Sequence, residues 1–137
     1  MSNDETGCRI VVVDDDQVFG GLLKTVLEFE GYQVSVVPWP DDVLPAVRQL
    51  IPVLVLMDVH TGRGDTLGIL REIRADATLN GLLVVMTSGM DRSAECLAAG
   101  ANDFVLKPFS PSELLTKIAD LIAGQDAGAQ VLPLDLS

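Results

Sequence analysis

Residues 10–16 read IVVVDDD, four apolar positions running straight into three aspartates. A valine-rich run specifies a buried strand. Adjacent carboxylates repel one another and resist burial. The strand must therefore end at an edge of the fold, where something positive offsets the acids. The pattern recurs. Residues 53–57, VLVLM, end on Asp58, residues 82–86, LLVVM, end on Thr87, and the short run 104–106 ends on Lys107-Pro108.

Helical patterns separate these runs. Val18, Phe19, Leu22, Leu23, Val26 and Leu27 share one helical stripe, with Asp16 as its cap and Gly31 as its stop. Residues 33–37 alternate polar and apolar, as an edge strand does. Asp41 is positioned to cap a second helix reaching Leu50, in which Pro45 is tolerated only in the first turn. Leu67, Leu70 and Ile73 mark a third helix, and residues 91–99 a short fourth. The last opens on Ser110-x-x-Glu113 with Pro111 at its first position, buries Leu114, Leu115, Ile118, Leu121 and Ile122, and is expected to stop at Gly124. The order βαβαβαβαβα, with continuously apolar strands, predicts a doubly wound α/β domain with a parallel sheet covered on both faces. Residues 9–124 read as that domain, 1–8 as an N-terminal tail and 125–137 as a C-terminal tail or linker stub.

Composition narrows the function. Hydrophobic residues make up 48% of 137, enough for a sizeable core. A net charge of −11 argues against a nucleic-acid-binding surface. No apolar run reaches membrane-spanning length, the first residues do not read as a signal peptide, and Cys8 and Cys96 read as thiols of a reducing compartment. A cytoplasmic protein is expected.

In a parallel sheet the C-terminal ends of all strands lie on one edge, where ligands bind. Asp14, Asp15 and Asp16 follow the first strand, Asp58 the third, Thr87 the fourth and Lys107 the fifth. Alone, each has an ordinary reading as a helix cap or a solvated surface group. Together they bring acids, a hydroxyl and an ammonium to one rim. Clustered carboxylates make a hard oxygen site suited to Mg²⁺. A carboxylate beside that ion can attack phosphorus, while the lysine and the hydroxyl bind phosphoryl oxygens.

The stretches VVVDDD, VLVLMD, VVMTSG and AGANDFVLKPF together resemble the receiver domain of the two-component response-regulator family, over residues 10 to about 123. The resemblance implies a flavodoxin-like five-stranded sheet of order 2-1-3-4-5. It implies Asp58 as phosphoacceptor, charged from a sensor histidine kinase or a histidine phosphotransfer protein. It implies Mg²⁺ held by Asp14, Asp15, Asp58 and the backbone carbonyl of His60. Thr87 and Phe104 match the conformational switch, Lys107 the phosphate-binding lysine, and the Lys107–Pro108 bond is expected to be cis. The output would be a downstream protein partner or a homodimer formed through the helix 4–strand 5–helix 5 face. The loop DVHTGRGDTLG departs from the family: Thr61-Gly62 stand where Met-Pro is common and Thr66 where Gly is common, so the loop is expected to be loose. Two other readings compete. Asp14-x-Asp16-x-Val18 fits the nucleophile motif of haloacid-dehalogenase-like phosphotransferases, with Asp14 as nucleophile. The third reading is a scaffold that is never phosphorylated.

Overall fold

The computed structural model describes residues 8–62 and 64–136, with side chains through Gln125. The tail expected for residues 1–8 falls outside that range except for Cys8. Five strands, β1 (Arg9–Val13), β2 (Gln33–Val37), β3 (Leu54–Asp58), β4 (Leu83–Ser88) and β5 (Asp103–Leu106), form a parallel sheet in the order β2-β1-β3-β4-β5. The helices are α1 (Gln17–Phe29), α2 (Val43–Leu50), α3 (Leu67–Ala75), α4 (Ser93–Ala99) and α5 (Pro111–Leu136). The doubly wound fold and its strand order are as expected, with residues 33–37 at an edge.

Alternation along the strands explains the two-sided core. Val11, Val13, Val55, Met57, Val84 and Met86 point to one face, where they meet Val43 and Val47 of α2, Leu67 and Leu70 of α3, and Cys96 of α4. Ile10, Val12, Leu54, Leu56, Leu83, Val85 and Val105 point to the other, against Leu23 and Leu27 of α1 and Leu114 and Ile118 of α5. Both faces of the central strands are covered, so their sequences are apolar at every position. Full burial of such a side chain contributes about 1.5–3 kcal/mol.

The helix ends follow local chemistry. The Asp16 carboxylate accepts from the N–H groups of Val18 and Phe19, each at 3.1 Å, capping α1. Gly31, at φ 98°, supplies the left-handed turn after it. Ser110 Oγ accepts from the Glu113 N–H at 3.1 Å, as its capping role requires. Asp41, by contrast, does not cap α2. A 3₁₀ turn, Pro40–Asp42, precedes that helix, and Pro45 falls in its first turn, where its missing N–H costs nothing.

Two further expectations fail. α5 does not stop at Gly124; its backbone stays helical to Leu136. One glycine costs a helix interior only about 1 kcal/mol, so Gly124 by itself does not end α5. The loop after Asp58 is also more ordered than its glycines suggest. His60–Thr61 and Gly64–Asp65 pair as a small antiparallel hairpin. Thr61 Oγ1 donates to the Gly64 carbonyl at 2.9 Å, and Gly64 takes φ 119° at the turn. The Lys107–Pro108 bond is cis.

Candidate functional site

Strand register builds the site. Val13, the last residue of β1, pairs with Met57, so Asp14 follows at the level of Asp58. Asp58 pairs directly with Thr87. Ser88 pairs with Leu106, and the Lys107 N–H donates to the Ser88 carbonyl at 2.8 Å. Three adjacent strand pairings therefore deliver these residues to one edge of the sheet. Lys107 Nζ lies 3.2 Å from Asp14 Oδ2 and 3.1 Å from Asp58 Oδ2. Carboxylate oxygens of Asp14, Asp15 and Asp58 come within 4.8 Å of one another. Among the described residues these three acids form the one such cluster. All three offer hard oxygen donors, and this donor set fits Mg²⁺.

The environments differ. The Asp14 side chain is 3% exposed and that of Asp58 12%. Burial pushes the Asp14 carboxyl up. The Asp16 N–H donating to Oδ1 at 2.9 Å, and then the charge of Lys107, oppose that rise without cancelling it. For Lys107, burial favours the neutral amine. The hydrogen bond and charge of Asp58, with those of Asp14, outweigh it and hold the ammonium above its ordinary value. The ammonium also lies 4.4 Å above the Phe19 ring, which meets Phe109 edge-on at 5.8 Å. Asp58 Oδ1 accepts the His60 N–H at 3.1 Å. Asp15 accepts the N–H of Gly62.

The model of the response regulator receiver domain family matches residues 10–119. The chain belongs to that family. This receiver is 35% identical over 130 residues to the DNA-binding response regulator MtrA of Mycolicibacterium smegmatis, covering 92% of this chain and 56% of MtrA. It is 32% identical over 121 residues to the transcriptional regulatory protein BaeR of Escherichia coli, covering 87% of this chain and 50% of BaeR. The chain thus spans about half the length of the curated relatives it matches. Among solved structures, a CheY-like receiver domain protein from Methanospirillum hungatei superposes with a TM-score of 0.81 at 29% identity, covering 88% of this chain and 98% of that one. A response regulator from Chloroflexus aurantiacus gives 0.80 at 27%, covering 85% and 98%.

Of the residues singled out in the sequence, the receiver's rim gathers Asp14, Asp15, Asp58 and Lys107, with Thr87 across the ladder from Asp58. Thr87 is buried. Ser88 Oγ accepts the Met90 N–H at 3.2 Å and turns the chain out of β4. Phe104 is half-buried against the core on the α4 side. The haloacid-dehalogenase reading loses ground, because Asp14 is the most enclosed of the three acids and is already engaged by the Asp16 N–H and Lys107.

Two contacts were not legible in the sequence. Thr66, fully buried, donates its hydroxyl to the Asp58 carbonyl at 2.8 Å, fixing the backbone at the site. Arg92 reaches from the loop before α4 to Asp65 of the hairpin at 3.0 Å and also binds Glu95. The only signal for either was the unusual composition of residues 60–66.

Proposed function

We propose that this receiver is a phosphorylation-dependent switch with Asp58 as its phosphoacceptor. The observation that carries this reading is Lys107 Nζ within 3.2 Å of both Asp14 and Asp58, the position from which an ammonium meets a phosphoryl group on Asp58. An Asp58 carboxylate oxygen attacks phosphorus. The P–O bond forms as the P–N bond to the donor histidine breaks, and the imidazole leaves with a proton. Lys107 pairs with one phosphoryl oxygen and the Thr87 hydroxyl donates to another. Asp14, Asp15, Asp58 and the His60 carbonyl would hold Mg²⁺, which supplies neutralisation of the gathered negative charge when bound.

The finer assignments rest on family membership. The donor is a sensor histidine kinase or a histidine phosphotransfer protein. The chain is no enzyme beyond its own phosphorylation and dephosphorylation. The receiver unit is residues 9–124, residues 1–8 a tail and 125–137 a tail or linker. Inward movement of Thr87 lets Phe104 repack, and the α4–β5–α5 face then changes its preference for a protein partner or a second copy. Leu97 of α4 and Leu106 of β5 are exposed. We assign no nucleic-acid or membrane contact to this unit and place it in the cytoplasm. Among the described residues no helix is long and apolar enough to cross a membrane.

Incubation with Mg²⁺ and acetyl phosphate, followed by mass-spectrometric mapping, tests the assignment. Label on Asp58, lost in Asp58→Asn, is expected. Label on Asp14 with turnover of phosphate esters would return the phosphotransferase reading. No label, with partner binding unchanged in Asp58→Asn, would leave only the scaffold.

A further inference from the structure

Arg92 stands on the loop between β4 and α4, five residues beyond Thr87, and its side chain is only 17% exposed. Its guanidinium has partners on two different parts of the fold. Nε and one terminal nitrogen donate to the two carboxylate oxygens of Glu95, at 2.9 and 3.0 Å. Glu95 lies in the first turn of α4, so this contact travels with the helix. The same terminal nitrogen donates to Asp65 Oδ2 at 3.0 Å. Asp65 belongs to the hairpin after Asp58, and its other oxygen accepts the Leu67 N–H at 2.7 Å, at the start of α3. The hairpin is in turn fixed to the end of β3. Thr66 donates its hydroxyl to the Asp58 carbonyl at 2.8 Å and its N–H to the Val59 carbonyl at 3.0 Å. One arginine therefore joins the segment that follows Thr87 to a segment anchored beside Asp58.

We propose that the Asp65–Arg92 ion pair is a latch on the switch, holding the β4–α4 loop against the hairpin in the unphosphorylated form. The proposal rests on the switch reading above, in which Thr87 moves toward a phosphoryl group on Asp58. That movement draws residues 88–92 with it. The Arg92–Glu95 contact survives, because both residues belong to the moving unit. The Asp65–Arg92 contact is stretched, because Asp65 stays with the hairpin. An interaction made in only one of two states biases the equilibrium by its own free energy. The apparent affinity of a ligand that selects the other state falls by the same factor. Asp65 keeps 41% of its side chain exposed, so the pair is partly screened and its effect is a few-fold rather than orders of magnitude.

Isothermal titration of beryllofluoride into the whole chain, at saturating Mg²⁺, provides the test. Arg92→Gln removes the cation, and Asp65→Asn removes the anion while keeping an oxygen for the Leu67 N–H. Each variant is expected to bind beryllofluoride about two- to fivefold more tightly than wild type. The double variant should bind no more tightly than either single one, because the same contact is lost only once. Stability without ligand should move the opposite way, with both variants unfolding at lower urea than wild type. That opposition marks a latch: a contact that supports the fold equally in both states lowers stability and leaves beryllofluoride affinity where it was. Unchanged or weaker binding in either variant, or gains that add in the double variant, overturns the latch and leaves the phosphoacceptor site standing. Failure of the wild type itself to bind beryllofluoride overturns the reading of the site as well. Either variant carries the test if the other does not fold.

Discussion

Lys107 is the cation on which two carboxylates depend. Asp14 is nearly enclosed, so its charge is poorly served by water, and Asp58 stands beside it. Breaking a buried pair from one side leaves an uncompensated charge, which is far costlier than a lost surface ion pair. Lys107 is itself about a quarter exposed, which screens part of the effect. Lys107→Met is therefore expected to destabilise the metal-free protein by about 1–3 kcal/mol at neutral pH. The same substitution made on Asp58→Asn should cost less, because one of the two orphaned charges is already gone. A double-mutant cycle by urea unfolding reads the difference, with a coupling of about 1 kcal/mol expected. Strictly additive effects would mean that Asp58 draws nothing from the lysine.

Further from the rim, the C-terminal end of α3 is joined to its surroundings by one side chain. Arg74 donates to the carbonyls of Gly100 at 2.7 Å, Leu82 at 2.6 Å and Asn80 at 3.1 Å, and to Asn102 Oδ1 at 2.8 Å. Asn102 Oδ1 in turn accepts the Val84 N–H at 2.8 Å. One guanidinium thus ties α3 to the entry of β4 and to the α4–β5 turn. A fork of planar donors does this and an ammonium does not. Arg74→Ala should lower stability by about 2–3 kcal/mol, with Arg74→Lys recovering little of it in thermal unfolding. Two residues on, Asp76 accepts from the Thr78 hydroxyl and N–H and pairs with Arg48 of α2 at 3.1 Å. The Thr78 contacts first, and then Arg48, hold its carboxyl down at about 2. A depressed carboxyl adds stability above its unfolded value of 3.8 and loses it as pH falls toward 2. Asp76→Asn should therefore be less stable than wild type at neutral pH, and the gap should close between pH 4 and pH 2 (acid titration followed by circular dichroism). Neither contact was visible in the sequence. Nothing in the sequence singles out Arg74, because its partners are oxygens that only tertiary placement brings near. Asp14, Asp15, Asp58, Thr87 and Lys107 were legible for the opposite reason: parallel register places strand ends together, and the residue after each apolar run can be read directly. The hairpin at residues 60–65 lay between these cases. Its glycines suggested freedom, while the bonds that order it come from Thr61, Asp65 and the distant Arg92.

Across the whole molecule the site is a clamp on three neighbouring strands. Asp58 ends β3, Thr87 lies in the last turn of ladder in β4, and Lys107 follows β5. β3 and β4 lie at the centre of the five-stranded sheet, with core on both faces. A group that binds all three residues cannot be released by fraying one edge; the sheet itself must open. Its stabilisation should therefore appear in global unfolding rather than in one loop. Beryllofluoride with Mg²⁺ stands in for the phosphoryl group. At a concentration 100 times its Kd it should add about 2.7 kcal/mol to unfolding, as expected for a ligand bound only by the native state. The gain should vanish in Asp58→Asn and shrink in Lys107→Met. Hydrogen exchange distinguishes the two extents of coupling: slowing that reaches the core amides of β3 and β4 fits a clamp on the sheet. Slowing confined to residues 59–66, with the unfolding midpoint unchanged, would show that the ligand engages the hairpin alone and that the strands beneath do not share its binding energy.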